Sequence, residues 1–343
     1  MTVTLKPIDQ QVFVITGGTS GIGLAIARAA VARGAGVVLA ARNEQALETV
    51  AADLTARGGC VATCTADVAR DEDVERIART AIDAFGGFDT WVNNAAAATY
   101  GTMERVTLAD HRRVFDVNYF GLLKGSLVAA AHLRAQGGAI INIGSILSDR
   151  TTILQGPYSA TKHAVMAATD ALRMELEEDG APISVTLIKP GAMRTPYPEH
   201  ARNYMAKPAR LPPVLYDPRL VADAVLFAAE HPTRQLYVGF AGYLVSLGGR
   251  LAPRLSDRLM TAFGRRLQTD ARQPPDPAIA DNLYQPRVDG DVDGHQDYVV
   301  RRTSLWLEAQ KRPAAVTAAT AVAGAVALFA WSSSRKRRTV EDA

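Results

Sequence analysis

The chain has 343 residues, enough for one large α/β domain plus an appendage, and its 48% hydrophobic content supplies a sizeable core, which excludes wholesale disorder. A formal net charge of +3 is too close to neutral to suggest a nucleic-acid binder, so no nucleic-acid partner is expected. The two cysteines, Cys60 and Cys64, fall in a β-like run about 13 Å apart, beyond disulfide reach, and read as small core residues of a reducing compartment.

The first residues carry no basic-then-apolar leader pattern and run through Lys6 and Pro7 into a strand, so the main domain is expected on the cytoplasmic side. Short β-rich runs then alternate with longer helical patterns. Strands are expected at 11–16, 36–41, 60–66, 88–93, 139–145, 183–189 and 235–240, and helices at 21–33, 44–57, 71–85, 108–135 and 158–178. Most of these strands are continuously apolar, as strands covered on both faces are. The expected fold class is therefore α/β, a doubly wound parallel seven-stranded sheet with right-handed crossovers.

The first strand ends in Thr16-Gly17-Gly18-Thr19-Ser20-Gly21-Ile22-Gly23 and passes straight into a helix. A tight turn, close approach of backbone to a pyrophosphate and close helix–sheet packing all require glycine there, and the free N–H groups of the helix start receive phosphate. The second strand ends Leu39-Ala40-Ala41-Arg42. An acid at that tip would bind a ribose 2′-hydroxyl; a neutral tip followed by a guanidinium favours a 2′-phosphate, hence NADP(H) over NAD(H). The plainer reading of Arg42 is a solvated side chain at a helix start.

Tyr158 and Lys162 stand one helical turn apart, so both project from one face. A phenol titrates near pH 10, and a neighbouring ammonium favours its phenolate, which suits proton exchange with a carbonyl or alcohol oxygen. Alone, such a pair is commonplace. Ser145 is expected at the end of a preceding strand, where carboxyl ends line the ligand crevice and a hydroxyl can steady charge on a substrate oxygen. The sequence around it, Ile143-Gly144-Ser145-Ile146-Leu147, is no nucleophile elbow, which excludes a serine hydrolase.

These motifs, in this order, resemble the single-domain short-chain dehydrogenase/reductase family. Thr16-Gly17, Gly21, Ile22 and Gly23 match its cofactor loop, with Thr19 and Ser20 between them; Asp67-Val68 resembles its adenine-contacting pair, and Asn93-Asn94-Ala95 its fourth-strand motif. Asn118, Ser145, Tyr158 and Lys162 fill the places of its catalytic tetrad, while Pro190-Gly191 and Thr195 resemble the turn and hydroxyl that hold the nicotinamide. The resemblance covers roughly residues 8 to 250. It implies a Rossmann fold and hydride transfer between the nicotinamide of NADP(H) and a carbinol or carbonyl carbon. It also implies roles: Tyr158 as acid/base, Ser145 orienting the substrate oxygen, Lys162 on the nicotinamide ribose, and Asn118 supporting a proton relay. A homodimer or homotetramer is implied as well. One departure is Ala96, where the fourth-strand motif usually ends in glycine.

The stretch after Gly191 corresponds to the family's variable substrate loop. It carries Met193, Tyr197, Tyr204, Met205, Leu211, Leu215 and Tyr216 among several cations, a lid that suits a lipophilic small molecule or simply packs on the domain.

Beyond Gly249 the pattern changes, and four parts are expected: a catalytic domain over 1–250, an extension over 251–312, a transmembrane helix over 313–334 and a basic tail over 335–343. Leu251, Leu255, Leu259, Phe263 and Leu267 recur every four residues with arginines between them, a basic amphipathic helix that either packs on the core or lies on an anionic membrane. Residues 270–300 read as a long Pro/Asp/Gly-rich loop. Asp289, Asp291, Asp293 and Gly294 imitate the start of a calcium loop, but Val300 stands where its bidentate acid belongs, so no metal is expected and the stretch reads as a solvated acidic turn.

Residues 314–331 carry no charge and would measure about 27 Å as a helix, near the roughly 30 Å of a bilayer core. A C-terminal membrane anchor is expected; a soluble alanine-rich helix or frayed tail is the alternative, and would leave the protein soluble in the cytoplasm. For the whole chain, the competing functional reading is a membrane-associated NADP-binding or scaffold protein without turnover.

Overall fold

Seven short apolar runs assemble into one parallel sheet in the computed structural model, which describes residues 3–270, 280–287 and 290–314. In chain order the strands are β1 (Val12–Thr16), β2 (Gly36–Ala41), β3 (Val61–Thr65), β4 (Thr90–Asn93), β5 (Gly138–Ile143), β6 (Ile183–Pro190) and β7 (Gln235–Val238). They lie side by side as β7-β6-β5-β4-β1-β2-β3. The chain leaves β1 toward β3, then returns to the other side at β4, so the topological switch point lies between β1 and β4, where ligands bind in open sheets of this kind.

Helices cover both faces. On one, α1 (Gly21–Ala32), α2 (Glu44–Ala56) and α7 (Arg219–Glu230) bury Leu24, Ile26, Leu47, Leu54, Val221 and Val225 against Phe13 and Ile15 of β1. On the other, α3 (Asp71–Phe85), α5 (Gly121–Leu133) and α6 (Gly156–Glu178) bury Val74, Ile77, Leu133 and Leu172 against Val14 and Val38. Successive β1 residues thus feed opposite cores, and each fully buried aliphatic contributes roughly 1.5–3 kcal/mol.

The helical stretch expected over 108–135 is not one regular helix. It runs as α4 (Leu108–Phe115), a π-helical turn (Asp116–Phe120) and α5. Such a wide turn bulges one residue out of the ladder, and the residue at its centre is Asn118. Likewise β5 ends at Ile143, so Ser145 does not finish the strand but caps a short 3-10 turn (Ile146–Ser148). Of the two cysteines only Cys64 is buried; Cys60 is exposed just before β3, and both are free thiols.

The amphipathic stretch forms two helices, α8 (Phe240–Leu251) and α9 (Pro253–Gln268), broken at Ala252 ahead of the proline. The acidic stretch is not a free solvated turn where it is described. Asp293 pairs with Arg219 at 2.9 Å, Gly294 is buried against the Thr195 carbonyl, and Val300–Arg301 forms a parallel pair with Leu215–Tyr216. A last helix, α10 (Leu305–Lys311), follows. Asp289 and residues 315–331 of the expected anchor lie outside the described residues, as does the basic tail. Among the described residues no helix is long and apolar enough to cross a membrane.

Candidate active site

The glycine turn after β1 opens α1 under the mouth of a cavity of about 400 Å³. Gly17 adopts φ +66°, a conformation L side chains rarely take. Gly23 is required for space: a Cβ there would stand 2.0 Å from the Gly17 carbonyl oxygen and 2.6 Å from Asn94 Nδ2. Asn94 locks the turn from β4, its amide donating to the carbonyls of Thr16 (2.9 Å) and Gly17 (3.0 Å). Thr16 Oγ1 in turn accepts from the backbone N–H groups of Asn94 (3.0 Å) and Ala95 (3.1 Å). Gly17, Thr19, Ser20, Gly21 and Ile22 line the cavity, while Gly23 lies beneath the turn.

The adenosine end of such a site would fall between β2 and β3, where Arg42, Asp67 and Val68 line the same cavity. Asp67 accepts from Arg113 at 2.6 Å. Arg42 is engaged by the C-terminal extension: its guanidinium donates to the backbone carbonyls of Asn282, Leu283 (3.4 Å) and Tyr284 (3.2 Å). Asn43 caps α2 and donates to the Arg287 carbonyl at 2.8 Å. The Gly21 N–H at the start of α1 donates to the Asp291 carbonyl at 2.9 Å. The extension therefore straps the whole cofactor edge, which nothing in the sequence pattern of 280–294 announced.

Ser145, Tyr158 and Lys162 meet on the cavity wall, beside Pro190, Gly191 and Thr195. Lys162 is buried and its ammonium donates to the Ile143 carbonyl at 2.7 Å, 5.5 Å from the Tyr158 ring centre. Burial pulls the Lys162 ammonium down to about 8. Burial pushes the Tyr158 phenol well above its ordinary value, and the Ser145 and Tyr197 hydroxyls beside it draw it partly back. These hydroxyls act against burial, while the Lys162 ammonium is itself desolvated and directed at a carbonyl. Ser145 Oγ accepts from the Leu147 N–H at 3.0 Å, which leaves its own proton to donate.

Asn118 does not join these three on the cavity wall. It is fully buried behind them, with its amide spent on both backbone groups of Ala97 (2.7 and 2.9 Å) and on Thr161 Oγ1 (3.0 Å). These bonds tie the segment after β4 to α6.

Sequence reading missed a chain of buried amides leading out of the site. Tyr197 packs edge-on against Tyr158 with ring centres 5.4 Å apart, and its hydroxyl donates to Gln155 Oε1 at 2.9 Å. Gln155 donates to Gln268 Oε1 at 2.6 Å, and Gln268 donates to Thr152 Oγ1, to the Ile153 carbonyl and back to the Gly264 carbonyl. Gln268 is the last residue of α9, so the amphipathic helix closes the substrate end; Met260, Gly264 and Leu267 line the cavity with it. The residues i+4 apart on that helix signalled an apolar stripe, but not that its other face walls a site.

Chemically, the cavity offers a glycine-rich anion cradle at one end, a desolvated phenol–ammonium pair in the middle and an apolar chamber at the other. Among the described residues no cluster of metal-binding side chains occurs.

Comparisons with known proteins agree with this arrangement. The family model for short chain dehydrogenases matches residues 11–205. An uncharacterized oxidoreductase, YxnA, of Bacillus subtilis is 44% identical over 337 residues, spanning 97% of this chain and 93% of its own, so the likeness takes in the extension. A 3beta-hydroxysteroid dehydrogenase of Eggerthella lenta is 37% identical over 187 residues, 53% of this chain and 70% of its own. Among solved structures, a short chain dehydrogenase/reductase from Burkholderia phymatum in complex with NAD superposes with a TM-score of 0.63 at 26% identity, over 80% of this chain and 99% of that one. L-sorbose reductase from Gluconobacter frateurii, complexed with NADPH and L-sorbose, gives 0.59 at 26% identity over 69% and 97%. The chain is an oxidoreductase of the short-chain dehydrogenase/reductase family.

Proposed function

We propose that this protein transfers a hydride between NADP(H) and the carbonyl or secondary-alcohol carbon of a lipophilic substrate, with Tyr158 as the proton-transfer group. The observation that carries the reading is the convergence of Tyr158, Lys162 and Ser145 on one cavity wall that continues into the glycine turn. The residues fit a dinucleotide: Gly23 lets α1 approach the Gly17 carbonyl where a Cβ would collide, Asn94 fixes the turn, and Thr195 and Gly191 line the wall beside Lys162. When bound, the nicotinamide supplies or accepts the hydride.

Gly17 to Ile22 would hold the pyrophosphate, Arg42 a 2′-phosphate, Asp67 and Val68 the adenine, and Lys162 the nicotinamide ribose. Ser145, whose hydroxyl lies beside the Tyr158 oxygen, orients the substrate oxygen. Tyr158, kept protonated at neutral pH by burial, donates to that oxygen in reduction and recovers the proton in oxidation. Lys162, its ammonium pulled down to about 8 by burial, would hold its proton less firmly than a solvated lysine does. Asn118 would serve the relay by positioning Ala97 and Thr161.

An apolar chamber of Val245, Met260, Leu267 and Leu211 supports a lipophilic substrate, and the steroid activity named for the Eggerthella relative is in keeping with it. A C-terminal anchor over 314–331 would set the enzyme at a membrane, and deletion of 313–343 should then release it without loss of cofactor binding. Pairing into a homodimer or homotetramer would use Phe120 of the π turn, Leu127 of α5 and Met174 of α6, all apolar and exposed.

The deciding experiment is Tyr158→Phe, assayed with NADPH and a panel of lipophilic ketones and aldehydes. Cofactor binding should persist and turnover should vanish; near-normal turnover would overturn the assignment.

A further inference from the structure

α9 turns three different faces to its surroundings. With 100° per residue, Met260, Gly264 and Gln268 form the face set against the core, where they line the substrate cavity. The next sector carries Leu255, Leu259, Phe263 and Leu267, which are 37–57% exposed, with the exposed Arg266 near the edge that adjoins the arginines. The sector beyond carries Arg254, Arg258 and Arg265, all exposed, with no ion pair found for them among the described residues. Only one acid, Asp257, lies on this helix, and it is paired with Arg150.

The stripe does not stop at the helix end. Leu251, at the end of α8, is 76% exposed, and Phe240, Leu244 and Val245 of α8 are 42–49% exposed. A run of this length left in water costs free energy that a soluble monomer would normally avoid. Val245 and Leu267 belong to both the stripe and the cavity wall, so the apolar surface is continuous with the substrate chamber.

We propose that α8 and α9 form a docking face for the surface of an anionic lipid bilayer, with the apolar stripe immersed and the flanking arginines on headgroup phosphates. Charge decides between a bilayer and a second copy of the chain. A two-fold pairing on this stripe would set a cationic flank beside its like, with one already paired acid per helix to offset it. Anionic headgroups answer both the stripe and the arginines. The described chain also ends near this face. α10 packs on α8 through Trp306, whose ring lies 4.4 Å from that of Tyr243, and the uncharged run in the sequence follows directly. The docking face stands independently of the redox reading; only its corollary, that substrate enters the chamber from lipid, rests on it.

The test uses the full-length chain with the exposed Cys60 changed to Ser and Leu259→Cys labelled with an environment-sensitive nitrobenzoxadiazole. Vesicles of equimolar phosphatidylglycerol and phosphatidylcholine should shift its emission to the blue, and pure phosphatidylcholine vesicles should not. A label at Glu48→Cys, exposed on α2, should stay aqueous throughout. Adding Arg254→Gln, Arg258→Gln and Arg265→Gln should raise the lipid concentration for half-maximal shift on the order of 100-fold, about fivefold per arginine. A Leu259 label that remains in water while the protein sediments with vesicles overturns the proposal, because another segment then holds the membrane. So does an equal response to uncharged vesicles, or a concentration-dependent shift without lipid, which would identify a second copy as the occupant. None of these readouts uses turnover, so failure of the redox reading would be seen separately.

Discussion

Replacing Arg42 by Ala separates the strap contacts that the structure shows from the phosphate contact proposed for the same guanidinium. Arg42 donates to three carbonyls of the strap, at Asn282, Leu283 and Tyr284, and it lines the cavity at the end proposed for a 2′-phosphate. The strap duty is common to both cofactors. Its bonds are half-exposed and two of them are long, so together they contribute about 1 kcal/mol, or roughly fivefold in affinity for NADPH and NADH alike. The phosphate duty touches NADPH alone. A charge-assisted contact of this kind contributes about 2 kcal/mol, roughly thirtyfold. Fluorescence titration of Arg42→Ala should therefore show Kd for NADH rising roughly fivefold and Kd for NADPH rising over about a hundredfold. The ratio of the two losses isolates the phosphate term. Equal losses would leave Arg42 as a strap residue only and remove the structural basis for preferring NADP(H).

Three further outcomes are expected. Gly23→Ala should abolish binding of either cofactor and lower the melting temperature, since its methyl would meet the Gly17 carbonyl at 2.0 Å and only backbone can yield; calorimetric binding and a thermal scan would check both. Gln268→Leu should lower turnover while leaving cofactor Kd unchanged, and should cost about 2–4 kcal/mol in denaturant titration by stranding the buried partners on Gln155, Thr152 and Ile153. The stability of the cofactor-free protein should rise relative to Lys162→Met between pH 8 and about 10, because the folded state holds Lys162 down at about 8, so the unfolded chain binds the extra proton in that window and folding improves as it is lost. A difference between the two that is flat with pH would mean that the lysine is not desolvated.

The sheet was legible because each strand is a continuous apolar run followed by a helix of regular period, and all seven runs pair as parallel neighbours. The cofactor turn was legible for a stricter reason: Gly17 and Gly23 occupy positions where backbone conformation or space excludes any side chain, so their spacing encodes geometry directly. Tyr158 and Lys162 could be placed on one face by helical period alone. What the period could not show was the π turn at Asn118, since one extra residue in a helix leaves no mark on an apolar pattern. Nor could it show the chain from Tyr197 through Gln155 to Gln268, which joins residues 42 and 113 positions apart by side-chain amides. The acidic stretch misled because Asp291 acts through its backbone carbonyl, a group every residue carries, and Asp293 through partners on distant elements.

The site is therefore divided between two kinds of chain. The sheet and its helices carry the groups proposed to react or bind phosphate: the glycine turn after β1, Ser145 at the turn after β5, and Tyr158 and Lys162 on α6. Part of the wall comes from beyond residue 250: Met260, Gly264, Leu267 and Gln268 line one end together with Leu211 and Val245, while Asn282 and Arg287 line the other. The family match over residues 11–205 includes Ser145, Tyr158 and Lys162, while the lining that the extension adds lies outside it. The extension is also what exposes the apolar stripe and the arginines. One helix, α9, bounds the chamber on its inner face and meets the surroundings on its outer face, so whatever covers the stripe acts directly on the wall against which a substrate is held.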